Sequence, residues 1–385
     1  MLDTYRECYR KDLLDSVVPF WLKHSLDHEC GGYFTCLDRD GTVFDTKKYL
    51  WLQGRAIWMF ARLYNEVERR QEWLDAATLG VEFIRKHMWD EKGRVYFSLT
   101  REGKPFFYQR KPYAAVFCMM GLLEYYKATG ERVYFDEAVD LYWRIGEWVK
   151  NPALMDRPVL EGAPSLSNLA NVMVLAGMTL ELMPVHDDPR YLQVLQQAAE
   201  GVVRHYLPDR RILIENVPLS GERIDEWPEG RLFSPGHSIE VAWFLLHLLE
   251  RLPDESLRRL ALDAIEGSLE MGWDPEYGGL YYFMDIQGKP TLQLEASMKL
   301  WWVHTEAIYA LVLAYTLTHE PRWLEWLERV HTYAYQHFAD PEYGEWFGYC
   351  DRYGKVTHTL KGGSYKGFFH VPRSLLFSIQ RLESA

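Results

Sequence analysis

The chain has 385 residues, 48% of them hydrophobic and 15% aromatic, which is enough for a large core and too apolar for a disordered chain. A net charge of −12 and an isoelectric point near 5.6 argue against nucleic acid or an anionic membrane as the main partner. No apolar run approaches the roughly 18 residues of a membrane span, the N-terminus lacks a basic segment followed by an apolar one, and the five scattered cysteines contain no CxxC pair. These features read as reduced thiols in a cytoplasmic protein.

Taken in order, the chain opens with a helix from Tyr5 to Leu26 that ends before Gly31-Gly32. The alternating stretch Tyr33 to Gly41 reads as a hairpin. A second helix starts near Tyr49, and a third, amphipathic one covers Glu72 to His87. After a hairpin from Gly93 to Gly103 come helices at Tyr113 to Thr129 and Tyr134 to Lys150, a proline-rich loop, and helices at Ser167 to Met183 and Tyr191 to Tyr206. The long irregular stretch Pro208 to Leu232 carries few helix signals. In Phe233-Ser-Pro-Gly-His237 an eighth helix begins, with Ser234 as N-cap and Pro235 where a missing N–H costs nothing. Helices then follow at Ser256 to Met271, His304 to Leu317, Trp323 to Phe338 and Gly367 to Leu382, with hairpins expected at Gly278 to Gly288 and Gly344 to Gly354.

That makes about twelve helices and no βαβ pattern. Asp274-Pro-Glu-Tyr-Gly278 recurs as Asp340-Pro-Glu-Tyr-Gly344 at an offset of 66 residues, a repeat length suited to a helix–helix–hairpin unit. Even-numbered helices are apolar nearly all round, and odd-numbered ones are apolar on one face only. Helices of the first kind belong inside and of the second outside, so the expected fold is all-α, an (α/α)6 barrel or toroid with short β-hairpins. No linker interrupts it, and residues 1–385 are expected to form a single catalytic domain.

In such a barrel the inner helices start at one mouth. The polar residues at those starts are Arg55, Tyr113, Asn168, Asn171, His237, Glu240, His304, Glu306 and His370. His237 and Glu240 are three residues apart on one helical face. Each residue has a structural reading as well. Arg55 could pair with Glu306, Asn168 and Asn171 could cap a helix, and Tyr113, His304 and His370 could be packed in the core. His237 with Glu240 could hold zinc, but no HExxH or Cys/His cluster supports that, so no metal is expected. Lys361-Gly-Gly-Ser-Tyr-Lys-Gly367 lacks the spacing and preceding strand of a phosphate loop.

Four dispersed segments, Trp51 to Phe60, Gly236 to Trp243, Lys299 to Ala307 and Lys366 to Arg373, resemble the N-acylglucosamine 2-epimerase family in the same order and across almost the whole chain. The resemblance implies an (α/α)6 barrel that inverts carbon 2 between N-acetylglucosamine and N-acetylmannosamine without metal or redox cofactor. It implies His237 and His370 as catalytic acid/base pair and Arg55 near the sugar carbonyl oxygen, with Glu240, His304 and Glu306 at pocket positions; Tyr113 and Asn168 are added as substrate-binding candidates. It further implies ATP as an allosteric effector that is not consumed, and a homodimer, for which the Trp323/Trp326 face is a candidate surface. Phe368 stands where the family pattern carries a cysteine.

The chemistry suits the residues. Epimerisation beside a carbonyl needs one group to take a C–H proton and another to return one, and imidazole titrates in the right range. A guanidinium can stabilise the enolate oxygen. Mannose or cellobiose 2-epimerases, aldose–ketose isomerases, an inverting glycosidase using Glu240 and Glu306, and a non-catalytic binding protein are the alternatives.

Overall fold

A computed structural model describes residues 2–158 and 160–384. Helix α1 runs through residues 2–24, with a π-helical stretch Asp12–Val17 just ahead of Pro19, whose ring and missing N–H do not fit a regular helix interior. Then come α2 (Leu50–Glu66), α3 (Gln71–His87), α4 (Tyr113–Thr129), α5 (Arg132–Lys150), α6 (Leu169–Leu182), α7 (Arg190–His205), α8 (Pro235–Leu248), α9 (Glu255–Gly272), α10 (Trp301–Thr318), α11 (Pro321–His337) and α12 (His370–Glu383). The even-numbered helices form the inner ring of an (α/α)6 barrel and the odd-numbered helices its outer ring. In α10 every residue from Trp301 to Ala314 is buried, whereas α5 buries only Phe135, Ala138, Leu141, Tyr142, Ile145 and Trp148. The all-round versus one-face apolar pattern therefore separates the rings as expected.

Around the inner ring α2 packs on α4, α4 on α6, α6 on α8, α8 on α10 and α10 on α12. Closure between α12 and α2 is aromatic: Trp58 meets Phe369 and Phe377 edge-on at 5.4 and 6.1 Å. One contact bears on function. A Cβ on Gly54 would fall 2.3 Å from the Phe117 backbone. Only glycine lets α2 and α4 approach this closely, and the approach sets the next residue, Arg55, over the Phe117 ring.

Two expected hairpins are corrected. Met284–Asp285 pairs with Leu232–Phe233, and Tyr349–Cys350 pairs with Lys299–Leu300, so both strands are held by the start of an inner helix, while the second loop also turns back through an antiparallel bridge of Cys350 to Val356, beyond the expected end at Gly354. The same arrangement recurs where Lys48–Tyr49 pairs with Ser98–Leu99 and Leu166–Asn168 with Asn216–Pro218. In all four cases the strand just before an inner helix is held by a strand from the loop after a later outer helix. These pairs lie at the starts of α2, α6, α8 and α10, satisfy the loop backbone there and fix the mouth.

A three-fold ionic device braces the same end. Lys48, Lys299 and Lys361 are fully buried and donate to Asp27, Asp274 and Asp340, while Arg101, Arg352 and Arg39 reach the same carboxylates from neighbouring hairpins. Lys361 is thus a structural cation, and Lys366 likewise donates to Glu345, so the segment from Lys361 to Gly367 offers no ammonium to a phosphate. At the far end Arg62 and Lys127 bridge Glu124 and Glu181 across α2, α4 and α6. Trp323 is fully buried, which removes it from any partner surface. No helix among the described residues is long and apolar enough to cross a membrane.

Candidate active site

A cavity of about 620 Å³ is lined by Trp51 and Arg55 of α2, by His237 and Glu240 of α8, by Trp301 and Trp302 of α10, and by His370 and Arg373 of α12. Ser234 accepts from the His237 N–H as the expected N-cap, and this fixes the first turn of α8. His237 and His370 both pack against one indole, their rings 5.0 and 5.9 Å from that of Trp302.

Each histidine is held by its own glutamate. His237 Nδ1 lies 2.8 Å from Glu215 Oε1, and His370 Nδ1 lies 2.7 Å from Glu306 Oε1. Ring nitrogens fixed in this way leave Nε2 of both residues for the cavity. Burial works against a charged His237, but Glu215, by charge and hydrogen bond, with Glu240 and Glu306 behind it, carries its pKa above the ordinary imidazole value. Burial, then the charges of Arg55 and Arg373, holds His370 well below that value. The two imidazoles are therefore pushed apart, one toward acid and one toward base, as acid/base pairs require.

Arg373 is the cation of the cluster. Its Nη2 donates to Glu240 Oε1 and to Glu306 Oε1, both at 2.6 Å, and Trp243 Nε1 donates to Glu306 Oε2 at 3.0 Å. Glu306 is thereby fully engaged and stays out of the cavity wall, acting on His370 and Arg373. The structural alternative for Arg55, a pair with Glu306, is not formed, because Glu306 pairs with Arg373. Ligand atoms of Glu240, Glu306 and His370 lie within 4.8 Å of one another, a metal-like spacing, but the Arg373 guanidinium already sits between the two carboxylates. That same spacing is too short for an inverting glycosidase, whose carboxyls stand roughly 6.5–9.5 Å apart.

Arg55 has no ion pair and no side-chain hydrogen bond among the described residues, and its Nε is buried without a partner. The guanidinium lies 4.0 Å from the Phe117 ring centroid, 4.6 Å from Trp51 and 4.8 Å from Phe369. Burial and the neighbouring Arg373 pull its pKa down to about 9, so it remains charged at neutral pH. An unpaired buried guanidinium facing a cavity is a ready binding group for a ligand oxygen.

Three expected site residues lie elsewhere. His304 is fully buried, its Nε2 accepting from the Leu280 N–H and its Nδ1 lying 2.8 Å from the Leu300 carbonyl. Burial pulls its pKa down to about 3. On α10 His304 is two residues from both Trp302 and Glu306, roughly 200° around the helix, so it faces α11, where its ring stacks on Tyr333. Tyr113 donates to Asn171 at 3.0 Å and does not reach the cavity, and Asn168 is the N-cap of α6, accepting from the Ala170 N–H. Phe368 packs on Phe60 and Trp21, away from the cavity.

Two residues escaped the sequence reading. Arg373 follows His370 by three positions, the spacing that paired His237 with Glu240, so the signal for it was present. Glu215 sits in the irregular stretch, where no periodicity marks it. Only the pairing of its backbone with Leu169 and Leu232 brings it to His237.

Residues 32–374 match the family model described as N-acylglucosamine 2-epimerase (GlcNAc 2-epimerase). The chain belongs to the N-acylglucosamine 2-epimerase family. Among family relatives, the N-acylglucosamine 2-epimerase of Mus musculus is 41% identical over 387 aligned positions, covering 97% of this chain and 92% of that protein. A cellobiose 2-epimerase of Ruminococcus albus is 26% identical, covering 97% of each. The solved cellobiose 2-epimerase of Bacillus thermoamylovorans B4167 superposes with a TM-score of 0.84 at 22% identity, covering 98% of this chain and 100% of that one, and shares its fold. As a member of the epimerase family the protein is an isomerase.

Proposed function

We propose that the protein interconverts N-acetylglucosamine and N-acetylmannosamine, one of His370 and His237 removing the carbon-2 proton of the open-chain sugar and the other delivering a proton to the opposite face. The observation that carries this reading is the pair itself: two histidines flank one cavity, each held by a separate glutamate, with their basicities driven in opposite directions. The choice of sugar rests on the 41% identity to the mouse N-acylglucosamine 2-epimerase.

In the reaction so read, neutral His370 takes the proton from carbon 2 with Nε2, and Glu306 stabilises the imidazolium that results. Arg55 supports the negative charge that moves onto the carbonyl oxygen at carbon 1. His237, charged beside Glu215, returns a proton to the opposite face. Glu240 spends one oxygen on Arg373, and its other carboxylate oxygen serves the anomeric hydroxyl during ring opening. The reverse direction exchanges the two histidine roles. One proton leaves carbon 2 for His370 and another arrives from His237, solvent exchange restores both rings, and no electrons are gained or lost, so no redox group is called for. A homodimer and an ATP effector site are parts of this proposal that rest on family resemblance, and a cytoplasmic location is a part that rests on the scattered cysteines without a CxxC pair.

The test is proton NMR in D2O with N-acetylmannosamine, mannose and cellobiose as separate substrates. Loss of the carbon-2 proton signal with growth of N-acetylglucosamine signals is expected for the first only. Exchange confined to mannose or cellobiose would replace the substrate and keep the histidine roles.

The electrostatics give a further expectation. Glu215→Gln removes the charge that raises His237, leaving burial to lower it. A group needed in its charged form loses activity as pH rises through its pKa. The alkaline limb of the kcat/KM profile is therefore expected to move to lower pH, with the acid limb unchanged. An unmoved alkaline limb would remove His237 from the acid role.

A further inference from the structure

The catalytic groups occupy the sector of the barrel formed by α8, α10, α12 and α2. The opposite sector, on α4 and α6 and the deeper part of α8, presents Val116, Phe117, Met120, Met173, Val174 and Phe244 to the same cavity, without a charged or hydrogen-bonding side chain among them. Phe117, Met173 and Phe244 lie on inner helices yet are only half-buried, so their apolar surface faces the cavity. The mouth is of opposite character, with Tyr282, Glu295, Tyr349, His358 and Tyr365.

We infer that the apolar wall of α4 and α6 seats the acyl chain of the substrate, and that the enzyme favours N-acyl groups longer than acetyl. The inference rests on the 2-epimerase reading given above. Carbon 2 must lie between His237 and His370, so its acylamino group leaves from that point. The carbinols of carbons 3 to 6 need hydrogen-bond partners, which the mouth supplies and the wall lacks. Ring opening requires a free carbon 1, so nothing is attached there. The acyl chain is the one apolar part of the molecule, and the wall is the part of the cavity lining where apolar side chains stand together away from the two histidines. Two of the wall residues are methionines, whose unbranched chains adjust to occupants of different length.

The test is a series of N-acetyl-, N-propanoyl- and N-butanoylmannosamine with the purified enzyme. Each added methylene buried against the wall is expected to raise kcat/KM about fourfold, the equivalent of ~0.8 kcal/mol per CH2. Val174→Phe fills the wall from α6, and it is expected to lower the butanoyl-to-acetyl ratio of kcat/KM at least about tenfold. A butanoyl substrate turned over more slowly than the acetyl one by the unaltered enzyme overturns the inference and leaves the epimerase reading intact. A ratio unmoved by Val174→Phe places the chain elsewhere and also overturns it. Failure of every member of the series, acetyl included, overturns the epimerase reading itself.

Discussion

His370→Asn is expected to lower kcat about 10²- to 10⁴-fold in both directions, the range lost when a positioned general acid or base is removed. The substitution isolates the chemistry from the fold. An asparagine amide can still donate to Glu306, so the buried carboxylate keeps a partner where alanine would leave it with one fewer. The thermal midpoint should therefore stay close to that of the unaltered protein. Incorporation of deuterium at carbon 2 is the decisive measurement, because it reports proton removal even if product release limits turnover. Because His370 is held neutral by burial and by Arg55 and Arg373, it is available as a base down to pH values where an ordinary imidazole is charged. A loss of less than about tenfold in exchange would exclude His370 as a proton carrier.

Arg373→Met is expected to have the largest effect on stability. The guanidinium is nearly out of contact with solvent and joins Glu240 and Glu306, which are 5% and 1% exposed. Its removal leaves two close carboxylates without their cation, and breaking one buried pair from one side costs about 3–5 kcal/mol. Urea unfolding should show that loss as a lower midpoint. Catalysis responds as well. Burial, Arg55 and Arg373 together depress the His370 pKa, so loss of Arg373 removes one of these influences and the pKa rises. A base needed in its neutral form then loses activity at higher pH than before, and the acid limb of the rate profile moves up. Adding Glu240→Gln to Arg373→Met removes one of the stranded charges and should restore part of the stability. A double variant no more stable than Arg373→Met would mean that Glu240 is stabilised by other partners.

The ring structure was legible because it depends on local composition. A helix apolar on all sides, such as α10, can only be inner, and one with a single stripe, such as α5, can only be outer. The starts of α4 and α8 coincided with their expected positions, since Pro235 and the Ser234 cap mark one and a run of apolar residues marks the other. The start of α10 was misplaced by three residues because Trp301-Trp-Val303 reads equally well as strand or helix. His304 lies in the core for a different reason: it is two residues from Glu306 and so on the opposite face of α10.

The sequence by itself determined the twelve-helix architecture and the placement of His237, Glu240, Arg55 and His370 at one mouth, because helical periodicity and cap chemistry are local properties. Tertiary structure alone decided how these groups are charged. Glu215 reaches His237 through strand pairing across a loop, Glu306 turns to His370 and Arg373, and the contact at Gly54 leaves Arg55 over Phe117 with no hydrogen-bonding partner among the described residues. Electrostatic interactions act through space over a few ångströms. Partners 22 and 64 residues apart in sequence leave no pattern in the chain from which that distance could be read.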